Sequence, residues 1–130
     1  MVCITEVAEK VSLLLKTDFE LTAGECLVKK KRMIEIYAGK NRFHCMLDLD
    51  ISFNAFEQNG FASNKAEIYL LPEELPAFTF TLKEYIIPLP LNTEQRLTAN
   101  PNIICFQIVC KEPPEHFAER LSAAFQVINQ

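Results

Sequence analysis

Ile4, Val7, Ala8, Val11, Leu14 and Leu15 recur at helical spacing and predict an N-terminal helix, with Thr5 as its cap and an end near Thr17 and Asp18. From Cys26 to Ala38 the even positions read Cys, Val, Lys, Arg, Ile, Ile, Ala. That parity predicts one long bent strand, or two strands joined tightly around Lys30 and Lys31. Gly39, Lys40 and Asn41 then form a hairpin turn. The cleanest alternation follows. Phe43, Cys45, Leu47, Leu49, Ile51 and Phe53 face one way, and Arg42, His44, Met46, Asp48, Asp50 and Ser52 face the other. This is a strand with one wet face.

Residues 54 to 65 are polar, contain Asn59 and Gly60, and are read as a loop. Ala66 to Leu71 is a strand closed by Pro72, with a turn around Glu73 to Leu75. Phe78, Phe80 and Leu82 alternate with Thr79, Thr81 and Lys83, which predicts a further strand. Tyr85, Ile87, Leu89 and Leu91 continue the alternation, but Pro88 and Pro90 each remove a ladder donor. That piece is read as an edge strand or an extended arm. Residues 92 to 102 read as a polar loop. Ile103 to Cys110 is apolar on both parities, as in a strand covered on both sides. Pro113 and Pro114 open the last helix, whose stripe is Phe117, Leu121, Ala124, Phe125 and Ile128. Glu115, Glu119, Arg120, Ser122 and Gln126 are placed on its opposite side.

With 130 residues, 49% apolar and without an internal repeat, the chain reads as a single domain over 1–130. No apolar run approaches a membrane span, and the start lacks the basic, unbroken apolar stretch of a signal peptide. Thirteen basic against 17 acidic side chains argue against general nucleic-acid binding. The five cysteines are odd in number and match no zinc spacing. Cys105 and Cys110, five apart on a strand, point to opposite faces. Cysteines used as small core residues fit a reducing, cytoplasmic setting, with the nucleus as the alternative.

The fold class expected is α+β. An antiparallel curved sheet, or partly open barrel, of six or seven strands is closed by a C-terminal amphipathic helix, with an extra N-terminal helix. The end of the chain, from Ile103-Ile-Cys-Phe-Gln-Ile-Val-Cys through Pro113-Pro-Glu-His-Phe-Ala-Glu-Arg-Leu to Phe125, resembles the pleckstrin-homology-like superfold. There a last buried strand turns into a closing helix. The resemblance implies a non-catalytic adaptor or scaffold module that takes a peptide or partner subunit in a larger assembly. It places the contact beside the closing helix, at His116, Glu119 and Arg120. The apolar arm with Tyr85, Ile87 and Leu89 is unusual for an exposed strand and is read as covered either by a partner protein or by the N-terminal helix.

Lys29, Lys30, Lys31, Arg32, Lys40 and Arg42 are a candidate anion-binding rim for a phosphoinositide headgroup or an acidic partner. The preferred reading of the same residues is a solvated hairpin whose charges prevent edge pairing. A further alternative comes from length and acidity, which resemble those of type III secretion chaperones. These combine a sheet with flanking helices, expose apolar strips for an unfolded client, and pair as dimers largely through the middle of the chain. This sequence shows no convincing helix there. His44 with Asp48 and Asp50 forms a polar outer face, and Cys45 turns inward. No phosphate loop, Gly-x-Ser-x-Gly or His-x-x-x-His accompanies them. No enzyme, cofactor or metal is therefore expected. A protein partner is expected, a homodimer is left open, and membrane lipid is the lesser alternative.

Overall fold

A computed structural model describes residues 4–100 and 103–128, and the backbone alone at 36–38, 45 and 100. The elements run α1 (Ile4–Leu15), β1 (Phe19–Thr22), β2 (Glu25–Ala38), β3 (Asn41–Asn54), β4 (Ala62–Leu70), α2 (Leu75–Glu84), β5 (Glu94–Asn100), β6 (Ile103–Glu112) and α3 (Pro114–Ile128). The strands form one open antiparallel sheet in the order β1-β2-β3-β4-β6-β5. The α+β class, the single antiparallel sheet and the helices at both ends agree with the expectation from sequence.

Alternation along β2, β3, β4 and β6 produces one buried face. Val28, Leu49, Ile51, Phe53, Ala66, Ile68, Phe106 and Ile108 sit on it, beneath Ala8 and Val11 of α1, Phe78 and Leu82 of α2, and Phe117, Leu121 and Ala124 of α3. Phe117 meets Phe53 edge-on, with ring centroids 5.9 Å apart. Phe78 meets Phe106 at 5.8 Å and Phe125 at 5.4 Å. Aromatic pairs of this kind add about 0.5–1.5 kcal/mol each beyond the area they bury. α1 ends at Lys16, which takes the left-handed conformation (φ 56°) while the Thr17 N–H reaches the Ser12 carbonyl at 3.2 Å.

Several expectations are corrected. Phe78 to Lys83 is not a strand but the body of α2. Pro76 lies in the first turn, where its missing N–H costs nothing. The Thr79 and Thr81 hydroxyls donate back to the Leu75 and Ala77 carbonyls at 2.8 and 2.9 Å. The polar stretch read as a loop after residue 92 contains β5, an edge strand paired with β6 from Glu94↔Val109 to Asn100↔Ile103. β4 begins at Ala62, inside the stretch read as a loop. Thr5 lies within the first turn of α1 rather than capping it. β6 is covered on one face only, and on the other Cys105, Gln107 and Val109 are half-buried.

β2 is one continuous strand, so the basic run does not break it. β2 and β3 pair without interruption from Cys26↔Phe53 to Ala38↔Asn41. β4 pairs with β3 only from Leu49 to Asn54, and β1 pairs with β2 only from Glu25 to Val28. The β2–β3 hairpin therefore leaves the sheet as a two-stranded ribbon.

Candidate interaction surface

Two buried ion pairs position the surfaces that remain exposed. Arg32 lies on the core face of β2 at the foot of the ribbon. It grips the Glu74 carboxylate at 2.9 and 2.7 Å and donates to the Tyr69 carbonyl at 3.4 Å. Glu74 also accepts the Leu71 N–H at 2.9 Å, closing the turn into α2. Burial pushes the Glu74 carboxyl up, but the Arg32 hydrogen bonds, the Leu71 N–H and the Arg32 charge together hold it below the ordinary range.

The second pair is deeper. Arg120 is 1% exposed and binds both oxygens of Glu112, the last residue of β6. It also donates to the Ile87 and Pro88 carbonyls at 3.1 Å each. Asn92 exchanges two bonds with Lys111 of β6, at 3.0 and 3.3 Å. The segment from Tyr85 to Asn92 has no ladder of its own, because Pro88 and Pro90 cannot donate. Arg120 and Asn92 supply its anchors instead. It is thus not an edge strand but an irregular arm, bent at residues 85–87 and turned at Leu91 and Asn92, where the Thr93 N–H reaches the Pro90 carbonyl at 3.1 Å. The neighbouring Cys110 thiol is raised far above its ordinary value, by burial first and then by the Glu112 charge.

The candidate residues separate accordingly. Arg120, read as an exposed contact on α3, is a buried clamp. Its position was legible: Phe117, Arg120 and Ala124 are spaced by three and four, which puts Arg120 on the apolar stripe. His116 and Glu119 are half-exposed. Tyr85, Ile87 and Leu89 are the half-covered residues of the arm, and Leu89 packs on the core. The fully presented apolar residues of the arm are Ile86 and Leu91.

The basic rim is gathered only in part. Lys29 and Lys31 lie on the outer face, opposite Asp50 and Asp48. Lys30 and Arg32 lie on the core face, with Arg32 neutralised by Glu74. Lys40 and Arg42 sit at the far end of the ribbon, Arg42 being 3.9 Å from Glu35. A cleft of about 360 Å³ gathers Lys29, Lys30 and Lys31, but Asp48 and Asp50 line it with them. A smaller one of about 170 Å³ on the outer face carries Lys29 and Lys65 with Asp50 and Glu67. His44, Asp48 and Asp50 are exposed on the outer face as expected. The inward turn of Cys45 lies outside the described residues. Among the described residues no group of three metal-ligating side chains converges, and no helix is long and apolar enough to cross a membrane.

What the sequence reading missed is the surface around α2. Phe78 and Leu82 point into the core, so Phe80, two residues from each, points out and is 66% exposed. Pro76, Thr79, Phe80 and Lys83 line an open groove with Leu89 and Gln95. Leu97 shares the core-side face of β5 with Gln95, the two lying opposite Phe106 and Ile108 respectively, yet is 54% exposed. Phe80 thus shares a groove with Leu89 of the arm and Gln95 of β5, while Ile86, Leu91 and Leu97 are exposed on the arm and on β5. The helical spacing Leu75, Phe78, Leu82 was the available signal for this helix. Compared with models of protein families, with curated proteins and with solved structures, the chain matches none.

Proposed function

We propose that the chain is a small acidic chaperone of the type III secretion kind, working as a dimer that keeps a segment of a client polypeptide extended. The observation that carries this reading is α2, placed between β4 and β5 with Phe80 turned outward. The chain resembles such chaperones in length, in acidity and in its sheet flanked by helices. A helix in the middle of the chain was the element missing from that resemblance. Pairing of two copies across α2 and β5 removes Phe80 and Leu97 from water. Apolar side chains presented together in this way are the usual mark of an interface.

The runner-up is a pleckstrin-homology-like adaptor acting as a monomer. It is favoured by α3, which follows β6 directly and lies over the open sheet. The inserted α2 and the β4-β6-β5 order depart from the uninterrupted meander that this resemblance implies. Solution mass by light scattering separates the two. The chaperone reading expects two chains per particle, reduced to one by Phe80→Glu with the circular dichroism unchanged. A monomeric wild type would sink it and favour the adaptor. A second assay asks whether the protein keeps a chemically unfolded, non-globular secreted segment soluble, and no effect on solubility counts against the client role.

A further inference from the structure

We propose that the outer edge of β3 at Arg42 and His44 takes an extended acidic segment of a client polypeptide as an added strand. This rests on the chaperone reading only for the identity of the client. The edge itself follows from the sheet.

Among the described residues, the ribbon beyond Lys29 in β2 and Asp48 in β3 has no third strand. Two strands alone are marginal in water. Proteins blunt such edges with lysines, prolines or bulges. The β2 edge carries Lys29, Lys30, Lys31 and Arg32. The β3 edge from Asn41 to Cys45 contains no proline, its register with β2 has no bulge, and its one charge is Arg42.

The hairpin fixes which groups that edge offers. Its connection is the two residues Gly39 and Lys40, with Gly39 at φ +63°. In a two-residue hairpin the flanking pair, Ala38 and Asn41, exchanges both bonds. Arg42 and His44 therefore direct their N–H and C=O away from β2. Their side chains share the outer face, and Phe43, 54% exposed, lies on the other.

Charge selects the occupant. At the ribbon tip Lys40 and Arg42 outnumber Glu35, on a chain of net charge −4. An acidic strand is repelled by the body and drawn to the tip, with a carboxylate opposite Arg42 and an apolar side chain opposite Phe43. A second copy fits poorly. Self-pairing centred on Cys45 would match Arg42 with Asp48. It would also drive the other copy's hairpin turn beside Asp50 and Ile51, where Glu67 and Ala66 of β4 are already paired. Centring on His44 sets Arg42 against Met46 and the two imidazoles face to face.

The test uses the full chain with capped peptides of about eight residues, one alternating valine and glutamate, the other valine and lysine, because added strands recognise alternate side chains. Binding is followed by titration and amide hydrogen exchange. The glutamate peptide is expected to bind about 10-fold more tightly than the lysine peptide, since a like charge opposite Arg42 replaces an opposite one. New protection should fall at Arg42 and His44. Arg42→Glu should reverse the preference. His44→Pro removes an outward N–H without touching the β2 ladder, and should abolish binding at unchanged thermal midpoint. Equal binding of both peptides, protection elsewhere, or unchanged binding to His44→Pro would each overturn the inference. So would a change in solution mass caused by His44→Pro, which would make the edge a contact between copies. A dimer that fails these peptide tests removes the strand-addition site alone. A monomer that passes them removes the chaperone reading and keeps the edge.

Discussion

Replacing Arg120 by methionine keeps an apolar stem in the same space and deletes every donor of the guanidinium. In the native protein those donors serve both oxygens of Glu112 and the carbonyls of Ile87 and Pro88, with Arg120 almost wholly out of water. After the change, Glu112 remains at the end of β6 as an uncompensated buried carboxylate. Breaking a buried pair from one side costs about 3–5 kcal/mol, more than the pair itself contributes, because the remaining charge keeps its desolvation penalty. A single domain has about 5–15 kcal/mol in total, so Arg120→Met should remove a large part of it. For a chain of this size the thermal midpoint should fall by roughly 10–15 °C. Urea unfolding at neutral pH measures the loss directly. Adding Glu112→Gln to Arg120→Met should restore about 1–3 kcal/mol, because the buried charge is gone even though the hydrogen bonds are not. A loss below about 1 kcal/mol for the single variant would refute the clamp. It would mean that water reaches Arg120, as the helical-face reading of the sequence supposed.

The two faces of α2 give a paired prediction. Phe78→Ala should cost about 3–5 kcal/mol in urea unfolding, whereas Phe80→Ala should stay within about 1 kcal/mol in a monomeric background. Equal losses would restore the strand reading, in which both residues share a face. Acid titration tests the Arg32–Glu74 pair. The folded Glu74 carboxyl is held low, so its stabilisation is present above the unfolded value of about 4.3 and disappears as pH falls through the lower folded value. Wild type and Glu74→Gln should therefore differ most in urea midpoint at neutral pH and converge below about pH 4; a gap that persists in acid would contradict this. Asn92→Ala should loosen the arm without unfolding the sheet. Faster amide exchange at Lys111, whose N–H it accepts at 3.0 Å, is the expected sign, and unchanged exchange would deny that Asn92 anchors it.

Much of the sheet was legible because a half-buried strand writes its burial as period two. β3 alternates from Arg42 to Phe53, and the structure buries Leu47, Leu49, Ile51 and Phe53 on one face. The closing helix was legible from its apolar stripe, and α1 from its own. The candidate surface was not. Phe78 to Lys83 satisfies period two and the helical spacing of Leu75, Phe78 and Leu82 at once, and its threonines favour the strand. Glu94 to Asn100 is polar because an edge strand has little to bury. Arg120 looked like a surface residue by its chemistry, although its spacing placed it inside.

The alternation of single strands, the apolar stripes of the terminal helices and the proline-enforced lack of a ladder after Tyr85 are local properties, and the sequence by itself determined them. Each follows from the geometry of one element and the side chains it carries. Whether Phe78 to Lys83 coils or extends was decided only by the tertiary structure, since docking Phe78 against Phe106 and Phe125 is available to the helix and to nothing else. The same holds for Arg32 and Arg120. Their charges become structural only when Glu74 and Glu112, 42 and eight residues away in sequence, are brought to meet them out of water.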